Sequence, residues 1–178
     1  MILTGSEILK EWQAGRIDIR PFNHDQVNPN SYDFRLGPII KTYINYILDP
    51  SLPNPTVETI IPESGLILQP GRIYLGHTLE IMGSDHYVPI IRGKSSTARL
   101  GLFIHVTSDL IDIGSHNQWT LQLNPVQPIK LYPNMRIGQV TFWKVIGEIT
   151  LYKGKYQGSM GPYGSLIHLD FEEKKLKV

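Results

Sequence analysis

The sequence predicts an all-β protein, a barrel or a sandwich built from short strands. Sixteen glycines and thirteen prolines fall between short apolar runs at fairly regular intervals. Several of these runs alternate apolar with polar residues, or are rich in β-branched and aromatic side chains. Short strands separated by turn residues are typical of barrels and sandwiches, whereas a helical protein would have longer periodic segments.

Composition restricts the class further. The 178 residues, 41% of them hydrophobic, suit one soluble globular domain over 1–178. A formal net charge of +1 gives the chain no strong positive potential that would attract a polyanion. We therefore expect no nucleic-acid partner, and any phosphate-binding site must be local. Without cysteine, disulfides, thiolate metal sites and zinc-type deaminase chemistry are excluded. The N-terminus has no basic region and no long apolar run, so we expect no membrane span and a cytoplasmic protein.

The N-terminal segment predicts a short helix followed by two strands. Ser6 is a favourable N-cap for a helix over 7–13, and Gly15 suits the end of that helix. Alternation of apolar and polar residues then predicts one strand at 17–21 and a second at 32–37. A turn is predicted between them at 28–31.

The middle of the chain predicts further strands and turns. Residues 38–64 suggest a strand, a proline-rich surface loop and a second strand, and the long loop suits an excursion at a subunit edge. Residues 66–81 predict a hairpin whose turn has Pro70 then Gly71 at its centre, which is typical of a type II turn. A similar Leu-x-Pro-[Gly/Asn] pattern recurs in 129–137, which suits a meandering β fold.

The remaining elements follow from residue type. A short helix is predicted at 97–100, and β-branched or aromatic content predicts strands at 87–91, 102–106, 119–123 and 138–145. Residues 151–178 form a tail that is polar, glycine-rich and aromatic where it begins. Such a segment cannot form a core by itself, so it is either a floppy terminus or a lid that orders over a ligand.

Polar chemistry is concentrated in residues 92–101, which place three cations and two serine hydroxyls between apolar strands. Glycine lets the backbone approach a ligand, Lys and Arg supply charge, and Ser supplies short donors, as an oligophosphate requires. The spacing is not that of a Walker loop. Residue types alone leave two hypotheses open, a phosphate- or nucleotide-binding loop and a basic surface turn before a short helix.

Several segments together resemble the dCTP deaminase family, within the dUTPase-like β fold. The resemblance runs from about residue 65 to 162, more loosely from the N-terminus to Gly37, and is carried by 94–102, 105–107, 111–112, 120–121, 137–139 and 155–158. It implies a distorted β-barrel or jelly roll with one or two short helices, assembled as a homotrimer with active sites between subunits. It also implies deamination of dCTP to dUTP with Mg²⁺ on the triphosphate. Relatives hydrolyse dUTP to dUMP and pyrophosphate, and some members do both.

The resemblance implies roles for individual residues. Lys94 and Ser96 would hold phosphate oxygens, and Ser95 would help to position the attacking water. Arg99 would orient the catalytic acidic residue. Asp112 would lie near the sugar and the metal-bound phosphates, where the dUTPase branch activates water.

Other implied contacts come from the last strand, the tail and a regulatory segment. Mg²⁺ would be held mainly by the triphosphate rather than by protein ligands. His105 lies in the segment through which some members respond to dTTP. The remaining nucleotide contacts implied are Gln139, Tyr152, Lys155, the stretch 157–158 and Ser159. Ser159 stands where members of the family usually have Gln.

Position 122 departs from the family pattern, because Gln122 stands where deaminating members carry Glu. A primary amide cannot take a proton from water at neutral pH, and general acid–base help is worth about 10²–10⁴-fold. We therefore expect very slow deamination with dCTP still bound, whether Gln122 is natural divergence or a substitution that traps substrate. The hairpin 113–117 also departs from the pattern, and its His116 is either a replacement base or a solvated loop residue.

Three functions are consistent with this combination of residues. The first is a dCTP deaminase. The second is a dUTPase-like pyrophosphatase acting through Asp112 and Mg²⁺ at the α-phosphate. The third is a non-catalytic nucleotide-binding regulator. Such a protein would keep the phosphate-binding residues and lack the catalytic base.

Overall fold

The computed structural model describes residues 1–175 and contains thirteen short strands in four antiparallel sheets. This mostly β architecture confirms the predicted fold class. The helices are α1 (Gly5–Gln13), α2 (Ser95–Ala98) and α3 (His168–Lys175). The strands are β1 Asp18–Arg20, β2 Val27–Asn28, β3 Ser31–Arg35, β4 Ile39–Tyr43, β5 Thr56–Ile60, β6 Leu66–Leu68, β7 Tyr74–His77, β8 Ile81–Gly83, β9 Tyr87–Gly93, β10 Leu102–Phe103, β11 Thr120–Pro125, β12 Ile129–Leu131 and β13 Arg136–Lys144.

Two larger sheets supply most of the core. One has the order β10-β11-β7-β4-β5 and the other β2-β3-β13-β9, while β1–β8 and β6–β12 form separate pairs. Burying a large apolar side chain contributes about 1.5–3 kcal/mol, so the contiguous core is the main source of stability. Its fully buried members include Ile8, Ile19, Tyr32, Phe34, Leu121, Leu123, Val140 and Phe142. No helix within residues 1–175 is both long and apolar enough to cross a membrane.

Helix α1 begins earlier than the sequence predicts. The expected cap, Ser6, lies inside the helix, and Thr4 caps it by accepting a 3.4 Å hydrogen bond from the backbone N–H of Glu7. The chain enters α1 against β2, where a Cβ on Gly5 would lie 2.0 Å from the Asn28 carbonyl oxygen. Glycine is therefore required at the first residue of the helix, and the cap moves back to position 4.

The predicted hairpin over 66–81 is wrong, although its turn forms. Gly71 has the left-handed φ of +84° that a type II turn requires. However, β6 pairs with β12, and β7 pairs with β4 and β11. The turn thus carries the chain between two sheets. The similar turn before β13 has Asn134 with a φ of 62°. The strands that precede these two related turns, β6 and β12, pair with each other.

The proline-rich region does form the predicted strand, loop and strand. β4 and β5 pair from Ile39 opposite Ile60 to Tyr43 opposite Thr56. Hydrogen bonds between Asp49 and Asn54 stabilise the loop that joins them. β5 is an edge strand of the five-stranded sheet. A location at a subunit edge stays a prediction.

A buried carboxylate connects α1 to β9. Glu11 is 3% exposed and accepts two hydrogen bonds from the Arg16 guanidinium, at 2.5 and 2.6 Å, and one from the Tyr87 hydroxyl at 2.8 Å. The Arg16 hydrogen bonds outweigh desolvation and, with the Tyr87 hydroxyl, lower the pKa of Glu11 from 4.5 to about 2. The ionised form of Glu11 is therefore favoured by folding.

This pKa shift predicts an acid-sensitive contribution to stability. Above pH 4.5 the carboxylate is charged in both states and its stabilising effect is complete. As pH falls from 4.5 towards 2, the unfolded chain binds the proton first and this stabilisation is lost. Denaturant unfolding measured across that range should show a steeper pH dependence for the native chain than for Glu11→Gln. Glu7→Gln, on the same helix, is the control, and equal slopes in native and Glu11→Gln chains would contradict the assignment.

Candidate functional site

A pocket of about 700 Å³ lies on one face of the five-stranded sheet, and we call it the main pocket. Side chains alternate along a strand, so positions 120, 122 and 124 of β11 face the same side. Gln122 pairs opposite Leu75 of β7, and Leu75 pairs opposite Lys41 of β4. The floor of the pocket therefore comes from three adjacent strands, and its residues are Tyr43, Ile73, Leu75, Thr120, Gln122 and Asn124.

Two segments outside the sheet form the walls. The loop after β10 supplies residues between 106 and 119, and the tail supplies residues between 152 and 165. Trp119 is 3% exposed, so it packs in the core and also lines the wall. Most of the lining is apolar, aromatic or hydroxyl-bearing, as in pockets that bind small organic ligands.

Gln122 lines the pocket floor, and its amide is held by a neighbour on the same strand. Its Nε2 donates to the Thr120 carbonyl oxygen at 3.2 Å, whereas its buried Oε1 has no hydrogen-bond partner in the described chain. A carbonyl oxygen can only accept, so the amide nitrogen must face Thr120. The orientation of the amide is thus fixed by its neighbour. Because Oε1 is buried as well as unpaired, a ligand in the main pocket does not reach it in this rotamer.

Asp112 is the one carboxylate that lines the main pocket within residues 1–175. The residue is exposed, and it takes part in none of the ion pairs found in that part of the chain. Its carbonyl oxygen accepts a 3.1 Å hydrogen bond from the Ser115 N–H, which closes a turn. The backbone of Asp112 is therefore held in a turn at the pocket wall, and its carboxylate is exposed there.

Comparison with known proteins gives a consistent assignment. The family model described as dCTP deaminase-like matches residues 2–145. This chain belongs to the dCTP deaminase-like family. A relative from Clostridium beijerinckii, named "dCTP deaminase, dUMP-forming", is 49% identical over 174 residues and covers 97% of this chain and 100% of the relative. A relative of the same name from Leptospira biflexa is 43% identical over 175 residues, covering 98% and 100%.

A solved structure supports the fold of this dCTP deaminase-like chain. The crystal structure of 2'-deoxycytidine 5'-triphosphate deaminase from Agrobacterium tumefaciens has a TM-score of 0.63 and 23% sequence identity. The match covers 79% of this chain and 47% of that one, so the chain spans about half the length of the solved protein. The family predicted from the sequence is confirmed by these matches.

The structure brings four of the predicted site residues of the dCTP deaminase-like chain into the main pocket. They are Asp112, Gln122, Tyr152 and Ser159. The basic cluster is elsewhere, because no Lys, Arg or His among residues 1–175 lines this pocket. Four polar members of that cluster are exposed: Arg92 near the end of β9, and Ser95, Ser96 and Arg99 on or directly after α2.

Three other predicted contacts are engaged within the chain. Lys94 forms an ion pair with Asp33, which is 2% exposed and also accepts from the Asn28 amide at 2.8 Å. Gln139 accepts from the Ser31 hydroxyl at 2.9 Å. Lys155 donates to Asp170 at 2.6 Å, and this hydrogen bond raises the pKa of Lys155. These partners stabilise the side chains in place, outside the main pocket.

The histidines do not supply a base to the pocket. His116 lies between Asp85 at 2.9 Å and Asp18 at 3.5 Å and does not line the pocket, so the geometry favours the loop-residue interpretation. His105 is partly buried, and its Nδ1 has no partner among the described residues. A regulatory role for His105 stays a prediction.

The tail is hydrogen-bonded to the loop at 113–114 and lines the main pocket, which favours the lid over the floppy terminus. The Tyr152 N–H donates to the Ile113 carbonyl at 2.8 Å, and the Gln157 amide donates to the Gly114 carbonyl at 2.7 Å. The sequence did not predict α3 at the end of this segment. Of the predicted tail, residues 176–178 lie outside the described residues.

Several pocket residues were missed by sequence reasoning. Tyr43 comes from the region 38–64, which carries no motif, and it reaches the pocket only because β4 pairs with β7. The wall tyrosines of the tail, Tyr156 and Tyr163, were recognisable as part of an aromatic segment but not as individual contacts. Thr120 belonged to a matched segment, yet its place in the floor follows from the alternation along β11.

Proposed function

We propose that this chain binds dCTP in the main pocket and hydrolyses it in pyrimidine deoxynucleotide metabolism. The proposal rests on Gln122, which occupies the position of the acid–base residue and lines the pocket floor. Attack of water at C4 of cytosine would release ammonia.

The product we propose is dUMP, the product in the names of the relatives, rather than the dUTP expected from the sequence. Conversion of dCTP to dUMP consumes two waters and releases ammonia and pyrophosphate, so it requires attack at C4 and at the α-phosphate. The volume of about 700 Å³ is within the range of about 300–1,000 Å³ found for small-molecule pockets. Leu75, Trp119 and the wall tyrosines provide apolar and aromatic surface for a base.

The donor set is compatible with Mg²⁺ carried by the substrate. Residues 1–175 contain no group of three or more acidic, His or Cys side chains suited to a metal, and Asp112 is a single carboxylate. Mg²⁺ keeps several waters and commonly takes one or two carboxylates together with substrate phosphates. Asp112 would therefore contribute one ligand or orient a water. Bound Mg²⁺ would neutralise phosphate charge.

A homotrimer would supply the missing cations. The main pocket has no Lys, Arg or His from the described part of its own chain, although a triphosphate requires positive partners. Ser95, Ser96 and Arg99 are exposed and lie outside the pocket. We propose that α2 of a neighbouring subunit faces the main pocket, so that each site uses two chains.

Shared sites predict complementation between inactive variants. Arg99→Ala removes a cation and leaves the pocket intact, whereas Asp112→Asn alters the pocket and leaves α2 intact. Each variant alone should have little pyrophosphatase activity on dCTP. Co-expressed chains should regain about a quarter of native activity, because random assembly produces that share of sites with both native halves. Mixed chains no more active than the separate variants would contradict the two-chain site.

One assay tests the proposed function. The protein is incubated with dCTP or dUTP plus Mg²⁺, and ammonia and pyrophosphate are measured in the same tube. Equal, slow release of both from dCTP supports the dUMP-forming reaction. Tight calorimetric binding of nucleotide with neither product would instead identify a non-catalytic regulator, and absence of binding would overturn the nucleotide site itself.

A second candidate function is a dUTPase-like pyrophosphatase. It is favoured by Asp112, the exposed carboxylate in the pocket wall, and it does not require an acid at position 122. Water activated near Asp112 would attack the α-phosphate and release pyrophosphate. Pyrophosphate from dUTP without ammonia from dCTP would favour this candidate.

A further inference from the structure

Helix α2 is a single turn that its own sequence does little to stabilise. It covers four residues, of which Thr97 alone is buried, and its N-cap residue, Lys94, makes no side-chain capping hydrogen bond. A turn this short gains few hydrogen bonds for the residues that it orders, so it forms where tertiary contacts hold it. The position of α2 therefore depends strongly on how its ends are attached to the rest of the protein.

The start of α2 is attached to the four-stranded sheet through side chains. Lys94 Nζ donates to Oδ2 of Asp33, which lies on β3, and β13 separates β3 from β9. On β13, Gln139 lies opposite Asp33, and its Nε2 donates to the Gly93 carbonyl at 3.4 Å. The last two residues before α2 are thus both held by side chains of adjacent strands.

The carboxylate of Asp33 is itself held in place. Asp33 is 2% exposed, and its Oδ1 accepts a hydrogen bond from the Asn28 amide at 2.8 Å, which leaves Oδ2 for Lys94. The Asp33 carbonyl accepts from the buried Gln26 amide at 2.6 Å, so the backbone is held as well. A buried carboxylate is costly unless it is paired, and within residues 1–175 its cation is Lys94. Folding therefore favours the conformation in which Lys94 stays on Asp33.

The ion pair leaves part of the ammonium group available. An ammonium has three N–H donors, and Asp33 takes one of those on Lys94. The Lys94 side chain is 31% exposed, so the remaining donors are accessible to an anion. The next residues along the chain, Ser95 and Ser96, are exposed, as is Arg99 at the end of the turn. The ion pair therefore fixes the side of α2 from which these polar groups project.

We propose that Asp33 is a positioning residue, which fixes the ammonium of Lys94 and, through it, the start of α2. The inference rests on the proposed two-chain nucleotide site, in which α2 is the part that a neighbouring subunit supplies. An ion pair that restricts this segment reduces the conformational freedom that triphosphate binding would otherwise remove. Asp33 therefore affects the affinity for nucleotide and leaves the chemical step unchanged.

Hydrogen exchange of the ligand-free protein tests the attachment without any nucleotide. Asp33→Asn keeps the shape of the side chain and removes the charge that holds Lys94. The amides bonded within the turn, 98–101, should then exchange about 10-fold faster, while β11, in the other large sheet, stays native. Native exchange of 98–101, or acceleration that extends equally to β11, would overturn the proposal.

Asp109→Asn is the matched control for the lost charge. Asp109 pairs with Arg92, two residues before Lys94 on the same side of the sequence segment, and makes no contact with Lys94. This variant should keep native exchange at 98–101. Acceleration equal to that in Asp33→Asn would show that any ion pair at this end of β9 has the same effect, which would overturn the specific role of Asp33.

A double-mutant cycle keeps the test independent of one variant. Lys94→Met removes the ammonium, and the double variant Asp33→Asn with Lys94→Met replaces the ion pair by a neutral pair. If Asp33 acts through Lys94, the double variant should exchange at 98–101 no faster than Lys94→Met alone. Multiplied effects of the two changes would overturn the proposal, as would native exchange in Lys94→Met and the double variant, even if Asp33→Asn does not fold.

Kinetics with dCTP separate this role from the proposed function. Asp33→Asn should raise KM by about 5- to 10-fold while kcat stays within about twofold. A merely destabilised protein would lose active molecules, so a fall in kcat at constant KM would overturn the positioning role. If the native protein binds no dCTP, the nucleotide assignment fails, whereas the exchange experiments still decide whether Asp33 holds α2 through Lys94.

Discussion

Replacing Gln122 by Glu is expected to raise the rate of ammonia release from dCTP by at least about 100-fold. The carboxylate can take a proton from water and pass it to the leaving amine, whereas the amide can do neither. The floor geometry assists this change, because a Glu side chain in the same rotamer has an oxygen facing the Thr120 carbonyl. Two acceptors in contact raise the pKa of the introduced acid towards neutrality, where it can both take up and release a proton. Ammonia release under saturating dCTP is the measurement.

Asn124→Asp is a matched control for this gain. It adds a carboxylate on the same face of β11, two residues further along and also in the main pocket. If position 122 is the acid–base position, Asn124→Asp should leave ammonia release at the native level. A Gln122→Glu protein that binds dCTP as tightly as the native chain and shows no gain would refute a deaminase geometry in this pocket.

Converting Asp112 to Asn is expected to reduce pyrophosphate release by about 100-fold or more. The amide has the same shape but cannot activate water or offset the charge of a metal-bound phosphate. Ammonia release should change less, because that step depends on position 122. The measurement is the ratio of pyrophosphate to ammonia formed from dCTP, which should fall in the variant.

Asp109→Asn gives the matching control for Asp112. Asp109 lies on the same loop, but it is paired with Arg92 at 2.5 Å and does not line the main pocket. Its replacement should leave the product ratio native. Undiminished pyrophosphate release in Asp112→Asn would remove the second candidate function.

Local features of the fold could be predicted from the sequence, whereas pairing could not. Alternation indicated β3, and β-branched or aromatic content indicated β11 and β13, because both signals are properties of neighbouring residues. The hairpin over 66–81 was wrong because the partner of β6 is β12, far along the chain, and nothing in a three-residue strand specifies its partner. The N-cap of α1 is Thr4 rather than the predicted Ser6 for a similar reason. Asn28, which is distant in the sequence, approaches Gly5 closely.

The candidate site was predictable where a motif fixes the residue. Asp112 and Gln122 were located by motif and both line the main pocket. Tyr43 and Asn117 could not be found in that way, because their places in the site arise from contacts between distant segments. The basic residues after β9 were correctly recognised as a cluster, but a single chain does not bring them to its own pocket.

The walls contributed by residues 152–165 also constrain the order of events during synthesis. Every strand of the barrel precedes this segment, so the ribosome completes the barrel before the cavity has its last side. A cavity with both walls therefore forms only after the last strand of the barrel has been synthesised.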